Sequence, residues 1–341
     1  MISAGAVSLV GQEGWPDRRP DKPMIMTGLL ILTSLAFAWS MGAHYTGACM
    51  GMPYATGSID RTSALRLMAI ATLIGAAMFS HGVLVHVGHG ILKGGLGTVP
   101  AIIVIGTAFA LTTVFTRRRI PTSTIQILVF ALVGAGIALR LGVHWAAIVH
   151  LALLWVLAPF IACGCGFLFT RLFDRIPALA AHRRAPIIGQ ALVGAGAIAS
   201  LTMGANDVSN ATAVFLSAHV AGVLTAGISG GIGLAAGVLT WGRPLLERVA
   251  FDVVKLDPTM ATAAQTVQAL VVLGAVAFGD FTSMNQALIG AMAGAGLARG
   301  RQTIDAKVLR GIGRGWIIGP GAGFALAYAA AALFRMITQP L

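Results

Sequence analysis

Apolar runs of about 20 residues follow one another along the chain, and a run of that length crosses a membrane as a helix. They lack the alternation with a period of two that marks the strands of an outer-membrane barrel. They predict membrane spans at 24–41, 64–84, 99–116, 120–139, 143–170, 186–203, 212–240, 261–278, 281–298 and 315–336. The run at 143–170 fits one strongly tilted helix or two short ones. We therefore expect an all-α integral membrane protein with about 10–12 transmembrane segments.

Composition supports a membrane protein and argues against several other classes. Of the 341 residues, 57% are hydrophobic and 10% are charged, whereas soluble domains contain roughly 25% charged residues. The 44 glycines favour helices that approach one another closely, because helix association in lipid depends on small residues. The sequence contains no Walker motif, nucleophile elbow or His-Glu-x-x-His motif, and its three cysteines have no zinc spacing. We expect a protein that is not an enzyme and has no catalytic residues, cofactor or metal.

The net charge of +12 arises from basic residues in short loops between apolar spans. That distribution is typical of the positive-inside bias of membrane proteins and does not indicate a nucleic-acid partner. We expect all three basic clusters to lie on the cytoplasmic side. They comprise Arg117, Arg118 and Arg119; Arg171, Arg175, Arg183 and Arg184; and Arg299, Arg301, Lys307, Arg310 and Arg314.

The two halves of the chain repeat one another. "MGAHYTGA" at 41–48 matches "MGANDVSN" at 203–210, and "TSTIQILVFALVGAGIALR" at 122–140 matches "TSMNQALIGAMAGAGLARG" at 282–300. The distance between the two motifs is nearly the same in both halves, so a duplication is indicated. The predicted organisation is a polar N-terminal tail at 1–23, a first repeat at 24–169, a cytoplasmic linker at 170–186 and a second repeat at 187–341.

The charges flanking the repeated segments predict that the two copies have opposite orientations in the membrane. Three arginines, 117–119, precede the first "TS" segment, whereas Asp280 precedes the second. After the segments, Arg140 alone follows the first, and five basic residues follow the second. Inverted repeats of this kind are the plan of many secondary transporters, which bind substrate near the middle of the bilayer between the repeats.

These motifs resemble those of the inorganic phosphate transporter (PiT) family. "GANDVSNA" at 204–211 is similar to the family signature Gly-Ala/Ser-Asn-Asp-Val-Ala-Asn, and "IPTSTIQ" at 120–126 to its Pro-Val-Ser-Thr-Thr-His hairpin. "DFTSMNQ" at 280–286 keeps Ser283 but has Met284 and Asn285 in place of two threonines, and both motifs end in Gln. The resemblance implies inverted repeats with re-entrant helical hairpins, and a homodimer surrounded by membrane lipid.

The first signature departs from the family pattern. His44 and Tyr45 replace its Asn-Asp pair, and "GACMGMPYATGSI" at 47–59 is similar to the bacterial sulfate permease branch, which also lacks that pair. A hydrogen phosphate ion carries a proton that requires an acceptor, whereas sulfate has none to donate. Loss of one carboxylate therefore favours sulfate.

The resemblance implies an oxyanion site built without Lys or Arg. Helix breaks at Gly42, at Gly204 and at the hairpin openings would supply backbone N–H donors. Hydroxyl and amide groups on the two hairpins would add more donors, although a lone Ser or Thr often bonds its own helix instead. The candidate anion ligands are Gly42, Ala43, His44, Ser123, Thr124, Gly204, Ala205, Thr282, Ser283 and Asn285.

Asp207 is the acidic residue that needs a separate explanation. An aspartate at the centre of a membrane helix costs about 2.5–3.5 kcal/mol, and no basic residue lies near it in sequence. We expect a coupling ion, H+ or Na+, with Asn206, Asp207, Asn210 and Thr122 as its ligands. A purely structural polar network is the alternative. His44, if it faces the site, is a candidate proton carrier, and otherwise a hydrogen-bonded filler.

The favoured function is sulfate uptake by symport with H+ or Na+ across the inner membrane, with phosphate as the alternative substrate. A passive anion channel and an intramembrane enzyme that uses His44, His81 and Asp207 are the rivals from other classes. His81, His86 and His89 lack carboxylate or thiolate companions, so they predict a polar loop or a helix end and no metal site.

Overall fold

The computed structural model describes residues 24–84, 91–93, 95–176, 185–217, 220–252, 257–300 and 306–338. The predicted tail at 1–23, the centre of the predicted linker at 177–184, and Arg301, His86 and His89 lie outside these ranges. The first half contains α1 (Met24–His44), α2 (Thr46–Ala55), α3 (Arg61–Phe79), α4 (Thr98–Arg117), α5 (Thr124–Ala138) and α6 (Trp145–Asp174). The second half contains α7 (Ala185–Ser217), α8 (Val223–Trp241), α9 (Arg243–Asp252), α10 (Pro258–Ala277), α11 (Met284–Arg299) and α12 (Ala306–Thr338).

The predicted all-helical membrane fold is confirmed. Within the described ranges, eight helical stretches are long and apolar enough to cross a membrane: α1 together with α2, and α3, α4, α6, α7, α8, α10 and α12. The other three helices given above are shorter: α5 has 15 residues, α9 has 10 and α11 has 16. The strands β1 (Leu92–Lys93) and β2 (Gly142–Val143) pair antiparallel beside the start of α6.

Several predicted spans have different limits in the structure. The run at 143–170 forms a single 30-residue helix, α6. That helix is about 45 Å long, which exceeds a hydrocarbon core of about 30 Å, so it must tilt or extend beyond the core. The run at 212–240 is not one span, because α7 continues to Ser217 and α8 begins at Val223.

The helix breaks predicted at Gly42 and Gly204 are wrong. α7 is continuous through 203–210, and Gly42 lies within α1, so the N–H groups of Gly42, Ala43, Gly204 and Ala205 belong to helical hydrogen bonding. Both glycines instead allow close packing. A Cβ atom at Gly204 would overlap the carbonyl oxygen of Thr72 on α3, and one at Gly42 would overlap that of Leu234 on α8.

The predicted hairpin openings are present, and both have the same backbone geometry. α4 ends in a left-handed turn at Arg119 (φ 56°), and α10 ends in one at Gly279 (φ 75°). In each turn the following N–H bonds a carbonyl five residues back: Ile120 to Phe115 at 3.0 Å, and Asp280 to Ala275 at 2.9 Å. We call residues 120–123 the first opening and residues 280–283 the second opening. Ser123 and Ser283 then cap α5 and α11.

Each short helix packs along a long helix of the other half. α5 lies on α12, where Arg335 donates a hydrogen bond to the Ala138 carbonyl at 2.6 Å, and α11 lies on α6. α5 ends just before α6 begins, whereas α11 ends with Arg299 bonded to Asp174 (2.6 Å), where α6 ends. The N-termini of α5 and α11 meet between these two ends, so the helices run toward opposite faces of the molecule.

Candidate functional site

The N-termini of α5 and α11 converge in the buried interior. The Ser123 hydroxyl accepts the N–H of Gln126 at 3.4 Å, and the Ser283 hydroxyl accepts the N–H of Gln286 at 3.3 Å. Among the described residues, the N–H groups of Ile125, Met284 and Asn285 have no hydrogen-bond acceptor. A helix N-terminus carries partial positive charge, so two of them facing one region make it favourable for an anion.

Each opening is held by a side chain of the preceding signature. In the second opening, the Asn206 amide forms two hydrogen bonds with the backbone of Thr282: its Nδ2 donates to the carbonyl at 3.0 Å, and its Oδ1 accepts the N–H at 3.3 Å. In the first opening, the Nε2 atom of His44 accepts the Thr122 N–H at 3.1 Å. His44 and Asn206 occupy equivalent positions of the sequence repeat. Both side chains are buried.

Asp207 is fully buried, and both of its carboxylate oxygens accept hydrogen bonds from amides. Asn206 Nδ2 donates to Oδ2 at 3.1 Å, and Asn210 Nδ2 donates to Oδ1 at 3.1 Å. The ion pairs found among the described residues all involve other carboxylates. Asp207 therefore has hydrogen-bond donors in Asn206, Asn210 and Tyr45 but no basic partner in that part of the chain.

Two buried oxygen atoms near this carboxylate have no hydrogen-bond partner among the described residues: Oδ1 of Asn210 and Oγ1 of Thr282. Buried oxygens that lack a donor are uncommon, and a bound cation is one way to satisfy them. The structure thus brings together three of the four predicted coupling-ion ligands, Asn206, Asp207 and Asn210. Thr122 instead contacts His44 and Asn285. Thr282, which was predicted only as an anion ligand, contacts Asn206.

The first half has no equivalent acidic cluster. Tyr45 occupies the position of Asp207, and Ala48 that of Asn210. Tyr45 is fully buried, and its hydroxyl forms a 2.7 Å hydrogen bond with the Thr124 hydroxyl at the N-terminus of α5. It also interacts with the Asp207 carboxylate. Tyr45 therefore connects the anion-favouring helix end to the acidic cluster of the other half.

Sequence reasoning missed a pair of glutamines that joins the two short helices. Gln126 Nε2 donates to Gln286 Oε1 at 3.2 Å, and Gln286 Nε2 donates to Gln126 Oε1 at 3.4 Å. Both amides line a cavity of about 820 Å³ between α5, α6, α11 and α12. The walls include Trp155 and Trp316, whose buried indole N–H groups have no hydrogen-bond partner in the described part of the chain. A repeated Trp-x-x-x-Pro signal, "WVLAP" at 155–159 and "WIIGP" at 316–320, marks these positions in the sequence.

The histidines singled out in the sequence do not form a cluster in the described part of the chain. His81 is exposed, and no group of three or more His, Cys, Asp or Glu side chains able to hold a metal occurs among the described residues. His150, which the sequence did not single out, pairs with Asp280 of the second opening at 3.1 Å.

Comparison with known proteins identifies the family. The model of the phosphate transporter family matches residues 41–327, which include both signatures and both openings. The chain belongs to the phosphate transporter family. This confirms the resemblance to the inorganic phosphate transporter family that the motifs indicated, and it makes the chain a multi-pass member of a family of inorganic anion transporters.

Its relatives in this family are named for two different anions. The sulfate permease CysP of Bacillus subtilis is 28% identical over 309 residues, covering 89% of this chain and 87% of that protein. A probable low-affinity inorganic phosphate transporter of Mycobacterium tuberculosis is 28% identical over 289 residues, covering 80% and 68%. A putative phosphate permease of Pyrococcus furiosus is 24% identical over 383 residues, covering 86% and 93%.

A solved structure shares the fold of this family member. The structure described as the sodium-dependent phosphate transporter superposes with a TM-score of 0.84 and covers 92% of this chain and 100% of its own. The sequences are 20% identical, so this match establishes the fold.

Proposed function

We propose that this chain is a secondary active transporter that takes up sulfate by symport with Na+ or H+. One observation carries the proposal: two helix N-termini converge, without a lysine or arginine, beside a buried aspartate that has no basic partner among the described residues. The helix ends suit an anion, and the aspartate suits a cation. Adjacent sites for opposite charges are what coupled transport requires.

The anion would lie between the N-terminal turns of α5 and α11. The free N–H groups there, with the hydroxyls of Ser123, Thr124 and Ser283, offer donors from both halves. The positive ends of two helix dipoles favour a dianion without a formally charged side chain. We do not extend this role to Gly42, Ala43, Gly204 and Ala205, whose N–H groups are used within continuous helices.

Sulfate is favoured over phosphate because the first half lacks the carboxylate of the family signature. Tyr45 replaces a carboxylate there, and its hydroxyl contacts Thr124 at the end of α5. A hydrogen phosphate ion must donate its proton to an acceptor, and the Tyr45 hydroxyl is a weaker acceptor than the carboxylate that it replaces. The relative named as a sulfate permease adds support. Phosphate is the second candidate, because other relatives carry that name and the Asp207 carboxylate interacts with Tyr45.

The coupling ion would bind at Asp207. A buried carboxylate costs about 2.5–3.5 kcal/mol at a helix centre, and a cation or a proton removes that cost. The unpartnered oxygens of Asn210 and Thr282 support Na+, which takes oxygen ligands. A proton is the alternative, since it needs only the carboxylate. Because Tyr45 and Ala48 replace the equivalent residues of the first half, we infer one such cation site and not two.

Inverted repeats would place this site near the middle of the bilayer, where alternating access requires the substrate to bind. α5 and α11 run to opposite faces from N-termini that meet, in agreement with two copies of opposite orientation. Arg299 bonds Asp174 beside the second basic cluster, and Gly315 of α12 lies against Ile120 beside the first, so the described arginines of the three clusters would be at one end. By the positive-inside rule that end would be cytoplasmic. We also propose, from the family resemblance, a homodimer in the inner membrane.

The test is uptake of radiolabelled sulfate into proteoliposomes that contain the purified chain. Uptake is measured with and without a sodium gradient and at two external pH values, in the presence of unlabelled sulfate or phosphate as competitor. We expect accumulation that depends on a cation gradient and stronger competition by sulfate than by phosphate. Stronger competition by phosphate would reverse the order of substrates. Flux that ignores both gradients would identify a passive channel and contradict symport.

A further inference from the structure

The two openings are held by similar but unequal sets of hydrogen bonds. In the second opening, the Asn206 amide serves both the N–H and the carbonyl of Thr282. One nitrogen of a neutral imidazole cannot serve both groups. It either carries a hydrogen and donates, or has a lone pair and accepts. His44 therefore cannot replace an asparagine completely at the equivalent position of the first opening.

The surrounding hydrogen bonds assign the tautomer of His44. Its Nδ1 atom lies 2.8 Å from the Thr116 hydroxyl, which itself donates to the Thr112 carbonyl at 2.8 Å. The Thr116 oxygen must therefore accept a hydrogen from Nδ1. Nε2 then has a lone pair, which accepts the Thr122 N–H at 3.1 Å.

This assignment leaves the carbonyl of Thr122 without a donor from its own half. The carbonyl oxygen lies 3.2 Å from Nε2 of His44, but that nitrogen has no hydrogen to give. Nδ2 of Asn285 supplies the missing donor at 2.6 Å. Asn285 belongs to the first turn of α11, so the first opening is completed by a residue of the second half.

We propose that Asn285 is a positioning residue that ties the two openings together and is required because His44 can only accept a hydrogen bond from Thr122. The positioning role of Asn285 is argued from the hydrogen bonds alone. Its effect on sulfate uptake rests on the proposed function. A buried carbonyl without a donor is costly, and without this bond α11 is free to shift relative to α5. The donors around the anion would then lose their spacing.

The proposal also gives a single reason for two departures from the family pattern. Where that pattern has an asparagine, this chain has His44, and where it has a threonine, this chain has Asn285. In the structure both side chains bond the backbone of one residue, Thr122. The second substitution supplies the donor that the first removes.

A double-mutant cycle tests this dependence in the full-length chain. Asn285→Ala alone should lower the sulfate uptake rate about tenfold, because the Thr122 carbonyl loses its donor. In His44→Asn the new amide can bond both backbone groups of Thr122, as Asn206 bonds those of Thr282. The double variant His44→Asn/Asn285→Ala should therefore recover most of the lost uptake. His44→Leu/Asn285→Ala is the matched control, since leucine offers no donor, and it should not recover.

A second readout separates this proposal from the transport proposal. Thermal unfolding of the same variants in detergent requires no substrate, and the melting temperature should fall in Asn285→Ala and rise again in the double variant with His44→Asn. This cycle is informative even if the chain transports no sulfate. Wild-type behaviour of Asn285→Ala in both assays would overturn the proposal. Equal behaviour of the His44→Asn and His44→Leu double variants would do the same.

Discussion

At the scale of a single residue, the proposed coupling of sulfate transport to a cation depends on Asp207. Asp207→Asn keeps the size of the side chain but removes the charge that would bind a cation. We expect this variant to lose gradient-driven accumulation of sulfate while it retains exchange of sulfate across the membrane. Uptake and exchange assays in the same proteoliposomes measure the two activities.

Asp60→Asn is the matched control for that substitution. Asp60 is exposed and caps α3 through hydrogen bonds to the N–H groups of Thr62 and Ser63, and asparagine caps a helix equally well. The control should accumulate sulfate like the wild type. Full accumulation by Asp207→Asn would remove the coupling role and leave the structural polar network as the explanation of this cluster.

Gly204 is required for packing. Gly204→Ala would drive a methyl group into the carbonyl oxygen of Thr72, so α7 and α3 must separate. We expect a loss of stability of about 1–3 kcal/mol or more, measured as a lower melting temperature in detergent. Gly194→Ala on the same helix meets nothing within 4 Å and should be neutral or slightly stabilising. Equal effects of the two substitutions would contradict the packing role.

The local structure predicted at Gly42 and Gly204 was wrong, and the reason lies at the residue scale. A glycine in an apolar run fits a helix break or a close helix contact, and the two have the same local pattern. The partner that distinguishes them, Thr72 for Gly204 and Leu234 for Gly42, is far away in the chain. In contrast, Ser123 and Ser283 were predictable, because a Ser or Thr after an extended segment and before an apolar run is a typical N-cap.

At the scale of elements, the pairing of α5 with α11 predicts that mutations in the two helices have non-additive effects on stability. Gln126→Leu leaves the buried Gln286 amide without its partner, whereas Gln126→Leu/Gln286→Leu removes both polar groups. We expect the double variant to be more stable than the sum of the single effects implies, by about 1–2 kcal/mol. Thermal unfolding of the four proteins in this cycle measures the coupling. Additive effects would mean that the two amides do not depend on one another.

Element limits followed from the sequence where a turn signal was present. The left-handed turns at Arg119 and Gly279 precede the openings, and the resemblance of these segments to the family motif implied both hairpins. The boundary between α7 and α8 was missed because apolar residues continue on both sides of it. The Gln126–Gln286 pair was missed because each glutamine was seen only as the end of its own motif. Only the folded chain places the two residues in contact.

The whole molecule should show inverted topology in intact cells. Arg118 follows α4 and Phe278 follows α10, so the two occupy equivalent positions of the repeats. Single cysteines at these positions are introduced after replacement of Cys49, Cys163 and Cys165. A membrane-impermeant maleimide should label Phe278→Cys from outside, and Arg118→Cys only after permeabilisation. Labelling of both from the same side would mean that the halves are not inverted.

The central claim is that an oxyanion binds where the N-termini of α5 and α11 meet. Its most direct test is a structure with bound selenate, which has the charge and shape of sulfate and is located by the anomalous scattering of selenium. The account predicts selenium between Ser123 and Ser283, within hydrogen-bonding distance of donors from both short helices. Selenium bound only at the basic clusters, or only in the cavity lined by Trp155 and Trp316, would contradict it.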